Sequence, residues 1–179
     1  NVPGAPPTPF SGSFLWGTDL DGFYERGADL MLISPPIDLT TAEAATLRFM
    51  HWYDIATIGA PEGWDDGAFL EVSADDGATW TYVTPVGGYP DIIAPNHYLP
   101  DGSRGFAGTS TGWTEARFTL DEFVGRIVRL RFHFVQDETD TTHATRAGWY
   151  VDDVIVSLAF PCHEGRIEMD RDQYACEGA

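Results

Sequence analysis

Apolar and polar residues alternate with a period of two along most of this chain. Val128, Leu130, Phe132 and Phe134 alternate with Arg129, Arg131 and His133, the pattern of a strand with one buried face. Ala68, Leu70 and Val72 alternate with Phe69, Glu71 and Ser73, and Ala116, Phe118 and Leu120 with Arg117 and Thr119. The same reading predicts strands over 29–34, 46–54, 79–84 and 149–158. Helical periodicity is almost missing: only 41–45 (TAEAA) and 121–125 (DEFVG) are suited to a helical turn. Between the strands lie clusters of Gly, Pro, Asp and Asn. The longest, 85–113, exceeds any simple hairpin turn, and long loops on a rigid β scaffold are where binding usually resides. About eight strands with long connections predict an all-β fold, a two-sheet antiparallel jelly-roll sandwich.

The ends of the chain read differently. Residues 1–13 open with NVPGAPPTP, four prolines in nine residues, and are expected to form an extended linker. The jelly-roll domain is expected over 14–160, followed over 161–179 by a C-terminal extension or the start of a further module. Cys162 and Cys176 are the only cysteines, and their spacing is not that of a C-x-x-C redox motif. Joined, they would staple the C-terminal extension and contribute about 3 kcal/mol by chain entropy; the alternative is two free thiols. The bonded form fits a secreted or cell-surface protein.

Composition narrows the partners. The formal charge is −18, from 28 acidic and 10 basic residues, and every basic residue is Arg. Such a chain repels phosphate backbones, which points away from nucleic acid. No apolar run approaches the roughly 18 residues that would insert into a membrane. Nor does the sequence open on a secretory signal, so any such signal is expected upstream or already removed.

Two motifs carry most of the local information. Ser73-Ala74-Asp75-Asp76-Gly77-Ala78-Thr79-Trp80 fits the Asp-box pattern S-x-D-x-G-x-T-W. Asp75 and Gly77 suit a tight turn between two strands, with Trp80 packing back on the hairpin. Gly148-Trp149-Tyr150-Val151-Asp152-Asp153-Val154 places two carboxylates inside an apolar strand, where an uncompensated charge is costly. Either backbone N–H groups of an adjacent loop relieve that cost, or a Ca²⁺ ion does. Asp19 and Asp21, in the loop 16–22, and Asp66, just before a strand, are candidate oxygen ligands from distant segments. None fits the spacing of an EF-hand loop.

Catalytic patterns are poor. The five histidines are scattered, without H-E-x-x-H, a G-x-S-x-G elbow or a phosphate-cradling glycine loop. An acid pair of the glycosidase kind would need two carboxylates about 5–10 Å apart in an open groove, one with a raised pKa.

Three stretches in order resemble a known family. Ile33-Ser34-Pro35-Pro36-Ile37-Asp38-Leu39 with Leu47-Arg48-Phe49-Met50-His51, then the Asp box, then Leu130-Arg131-Phe132 with Gly148-Trp149-Tyr150-Val151-Asp152-Asp153-Val154, resemble choice-of-anchor J and MAM-like domains over roughly 14–158. The Phe-Glu pair and the cysteines of MAM domains are missing. The resemblance implies a concanavalin-like jelly roll used for adhesion, glycan or protein contact, or as a protease accessory. Such domains accompany immune-inhibitor-A-type metallopeptidases and other large secreted bacterial proteins. It also implies a structural Ca²⁺ between an N-terminal acidic loop and the closing strand, here Asp19 or Asp21 with Asp152 or Asp153.

The expected function is therefore a non-catalytic, calcium-stabilised binding or accessory module of a secreted bacterial multidomain protein. Its partners would be a glycan or protein ligand and the flanking domains of its own chain. Trp64, Tyr89, Tyr98 and Trp113 are the aromatic residues expected at the ligand, with packing beneath the loop as the alternative for each. The competing reading is a concanavalin-like glycan-degrading enzyme.

Overall fold

The computed structural model describes residues 2–57, 66–93, 98–136 and 145–161. The strands are β1 (Trp16–Gly17), β2 (Asp29–Ile33), β3 (Ile37–Asp38), β4 (Ala44–Ile55), β5 (Gly67–Ser73) and β6 (Thr81–Val83). They continue as β7 (Asp91–Ile92), β8 (Arg104–Gly105), β9 (Gly108–Thr109), β10 (Thr114–Thr119), β11 (Ile127–Val135) and β12 (Gly148–Ala159). A 3-10 turn spans Asp121–Phe123. The other expected helical turn, 41–45, does not form: β4 begins at Ala44, because burying Ala45 and Leu47 extends the strand backwards.

Two antiparallel sheets of five strands face each other. The first runs β1-β12-β4-β10, with β9 continuing beside the end of β4; the second runs β2-β11-β5-β6, with β3 also on β11. β2 and β3 are in effect one edge interrupted by Pro35 and Pro36, which offer no N–H to the ladder. Ser34 spans the gap: its N–H donates to the Leu130 carbonyl (2.9 Å), and its hydroxyl accepts the Leu130 N–H (2.9 Å).

The period-two pattern decides what lies between the sheets. Leu47 and Phe49 of β4, Phe118 of β10 and Trp149 of β12 meet Leu70 of β5 and Leu130, Phe132 and Phe134 of β11. Phe49 and Phe132 touch edge to face across the gap, with centroids 5.1 Å apart. His51 lies in this core and accepts the Trp149 indole N–H on Nδ1 (3.2 Å); burial pushes its pKa down to about 3, so it is neutral.

The long 85–113 segment is not free loop. Tyr89 turns into the core and Ile93 packs on the backbone of β5, where a Cβ at Gly67 would stand 2.2 Å from Ile93 Cγ2. Phe106 pairs with Ala68 through two backbone hydrogen bonds (3.0 and 2.8 Å). The small strands β7, β8 and β9 all come from this segment, too short for the hydrophobic pattern to announce.

Candidate functional site

The Asp box is committed to its own turn. Asp75 accepts the Thr79 N–H (2.8 Å) and hydroxyl (2.6 Å) and the Ser73 hydroxyl (2.7 Å). The Thr79 and Ser73 bonds pull its pKa down to about 2. Asp76 sits at φ 59° and reaches Arg129 (2.6 Å). Trp80 packs back, as its place in the motif predicts, beneath the Arg131 guanidinium at 4.2 Å.

That arginine belongs to a polar cluster absent from the sequence-based expectations. Arg131 grips Glu71 through two bonds (2.7 and 2.8 Å), both residues buried and directly paired across β11 and β5. His133 is wholly buried; its Nδ1 lies 3.0 Å from Glu71 Oε2 and its Nε2 2.8 Å from Asp29 Oδ1. Tyr98 donates its hydroxyl to the second oxygen of Asp29 and packs edge-on against the His133 ring. Burial works to raise the Glu71 pKa, but the hydrogen bonds from His133 and Arg131 outweigh it and hold it below the usual range. A carboxylate kept this acidic is unlike a general acid. The only signal available in advance was the polar row Arg131, His133, Glu71 on the strand faces opposite the core.

The predicted metal ligands are placed as follows. Asp152 Oδ2 accepts the N–H groups of Phe10 (2.9 Å) and Ser11 (3.2 Å), and its Oδ1 accepts the Asp153 N–H (2.8 Å). Asp153 accepts the Ser11 hydroxyl (2.6 Å) and sits at φ 47° in a bulge, where the register of β12 against β4 shifts. Neither carboxylate enters the core; both face the N-terminal segment. Asp19 Oδ1 accepts the Asp21 and Gly22 amides (2.8 and 2.9 Å), an Asx-type turn. Asp66 is buried against the Tyr24 hydroxyl (2.6 Å). Among the described residues, no three His, Cys, Asp or Glu side chains lie close enough to share a cation. Asp152, Asp153 and Asp19 each accept protein N–H or O–H groups in this structure.

The predicted ligand aromatics also separate. Tyr89 cannot stack on a ligand: it is 4% exposed, with its hydroxyl between the Leu70 N–H (2.9 Å) and the Val83 carbonyl (2.8 Å). An aromatic with a polar tip is driven inward when both ends find partners. Tyr98 is half-buried in the cluster above, and Trp113 is half-buried with its indole N–H on the Thr8 carbonyl (3.3 Å). Trp64, Cys162 and Cys176 lie outside the described residues.

A concave, largely apolar feature lies elsewhere, between the edge strands of the two sheets. β1 and β2 are the edge strands there, and between them runs a cleft of about 280 Å³. Its floor is Phe132, Phe134, Trp149 and Val151; its rim is Trp16, Thr18, Leu30 and Met31. Gly148 (φ 96°) makes the approach possible, since a Cβ there would stand 1.9 Å from Thr18 Oγ1. Trp16 is 53% exposed and Phe14, just before it, 87%. Sequence patterning missed this site because its floor is ordinary core sequence, buried like the rest of the core, while the edge residues Trp16 and Leu30 reach solvent.

Comparison with known proteins places this architecture. Bacillopeptidase F of Bacillus subtilis (strain 168) is 24% identical over 158 residues, covering 85% of this chain and 8% of that protein. The chain thus spans a small part of this relative's length. The K3 cleaved adhesin domain of Lys-gingipain from Porphyromonas gingivalis w83 aligns with a TM-score of 0.43 at 17% identity, over 85% of this chain and 81% of that one. The family model described as "Immune inhibitor A-like, MAM domain" matches residues 7–160, and the chain belongs to that family.

Proposed function

We propose that this is a non-catalytic accessory module of a secreted multidomain protein, and that the cleft between β1 and β2 seats a neighbouring domain of the same polypeptide. The observation that carries the reading is the cleft: among its lining residues Thr18 alone has a polar side chain, and Trp16 stands half exposed at its mouth. Sugars need several convergent polar groups, whereas an apolar side chain from a protein partner needs only this shape. A module occupying 8% of a relative's length has flanking domains as its nearest partners. The jelly-roll form of the sandwich, the Cys162–Cys176 bond and bacterial secretion belong to the same proposal.

The enzyme alternative finds less support. Glu71 is buried and held by Arg131 and His133, and the exposed Asp29 on the other side of His133 is engaged by the Tyr98 hydroxyl, so the two carboxylates do not face each other across an open groove. Calcium enters as a separable part: the net charge of −18 favours cation uptake, while the geometry offers Asp152 and Asp153 amide and hydroxyl donors.

The test places a photo-crosslinking residue at Leu30, on the rim of the cleft, in the full-length parent protein. Links to a neighbouring domain, lost with Trp16→Ala, are expected. A glycan-array signal abolished by the same substitution, without interdomain links, would overturn the reading.

A further inference from the structure

Residues 2–11 do not hang free; they run across the outer face of the first sheet. The Trp52 indole N–H donates to the Gly4 carbonyl (2.8 Å), and the Trp113 indole N–H to the Thr8 carbonyl (3.3 Å). Asp152 then takes the Phe10 and Ser11 amides. Four anchors thus engage the segment's backbone. Phe10 adds an edge contact to Trp113 (6.1 Å), which stands edge-on to Trp52 (6.2 Å). At Gly4 (φ 89°) a Cβ would stand 2.1 Å from an Asp54 oxygen, so the chain passes there as bare backbone.

Two features separate this strap from the fold beneath it. No residue from Val2 to Phe14 is buried, so no strap side chain is part of the core. The strap also carries Pro3, Pro6, Pro7 and Pro9, whose fixed φ lowers the entropy lost on docking. Paired indole N–H donors meeting carbonyls of a proline-rich segment is the chemistry by which aromatic grooves recognise such peptides.

We propose that Trp52, Trp113 and Asp152 form a docking groove for proline-rich peptide, filled in cis by the chain's own N-terminal strap. The strap is an exchangeable ligand: it opens without unfolding the sandwich, and a proline-rich peptide can then take its place.

The test uses the full chain. Phe10→Pro with Ser11→Pro removes the two amides that Asp152 holds, and leaves both tryptophans and the sheet intact. A fluorescent peptide of residues 1–13 should bind this variant saturably, and bind the unaltered chain at least about tenfold more weakly, since its groove is filled. Adding Trp52→Phe and Trp113→Phe should weaken binding about tenfold by removing both indole donors. No binding to a folded unlatched variant, or binding indifferent to the tryptophans, would overturn the proposal. Native-state hydrogen exchange of the unaltered chain decides it even if the variants misfold. The Phe10 and Ser11 amides should exchange at least about a hundredfold faster than that of Phe49; equal protection would make the strap an integral part of the fold.

Discussion

Individual residues of this domain are decided by whether a buried polar atom finds a donor. Asp152 is buried, and three backbone N–H groups converge on it. Asp152→Ala should cost about 1–3 kcal/mol, read as a lower denaturant midpoint, by orphaning those amides. A structural calcium predicts in addition that millimolar Ca²⁺ raises the melting temperature and a chelator lowers it. An unchanged melting temperature would leave Asp152 as a purely hydrogen-bonded anchor.

His51 gives a pH dependence at the same scale. Its folded pKa is about 3, against 6.5 for the free side chain. Above pH 6.5 both states are neutral and it contributes nothing to the slope. As the pH falls from 6.5 towards 3, only the unfolded state takes the proton, so stability falls by about 1.4 kcal/mol per pH unit. His51→Gln should flatten urea-derived stability between pH 6.5 and 5, where most carboxylates are still ionised. A slope unchanged by the substitution would place the titrating group elsewhere.

Between elements, the most exposed weakness is the pairing of β5 with β11. Glu71 and Arg131 sit opposite each other in register, capped by Trp80 and continued by His133. Glu71→Ala strands a buried guanidinium and should cost about 3–5 kcal/mol in chemical denaturation. Replacing both partners by apolar residues of similar volume should cost clearly less, because no charge is left behind. Equal losses would mean that packing, not charge pairing, sets the value of this site.

For the whole molecule, the cleft between the edge strands matters most. Phe132, Phe134 and Trp149 are themselves buried, so the cleft is a hollow over packed core side chains, with β1 contributing only two residues and Trp16 and Leu30 exposed at its lip. Trp16→Ala should shift folding stability by little beyond about 0.5 kcal/mol, since the side chain is half exposed. It should nevertheless abolish the interdomain links described above. A large loss of stability would make Trp16 a core residue, and the cleft merely incomplete packing.

Much of the fold was legible in the chain itself. Alternation at 128–134 and 68–73 announced β11 and β5, because a strand with one buried face must place apolar groups at every second residue. The Asp box was readable as a turn, since each of its bonds spans four residues or fewer. The ordered SPPIDL and GWYVDDV stretches carried the family. What only the tertiary structure decided depends on contacts far apart in sequence. The amide that Asp152 accepts from Phe10 comes from 142 residues away. Tyr89 and Trp113 come from the same long segment, yet one is core and the other lies under the strap, since each follows whichever partner its polar tip meets. The cleft has no motif at all: its lining joins residues of β1 and β12 in one sheet to residues of β2 and β11 in the other, so it exists only once the two sheets pack.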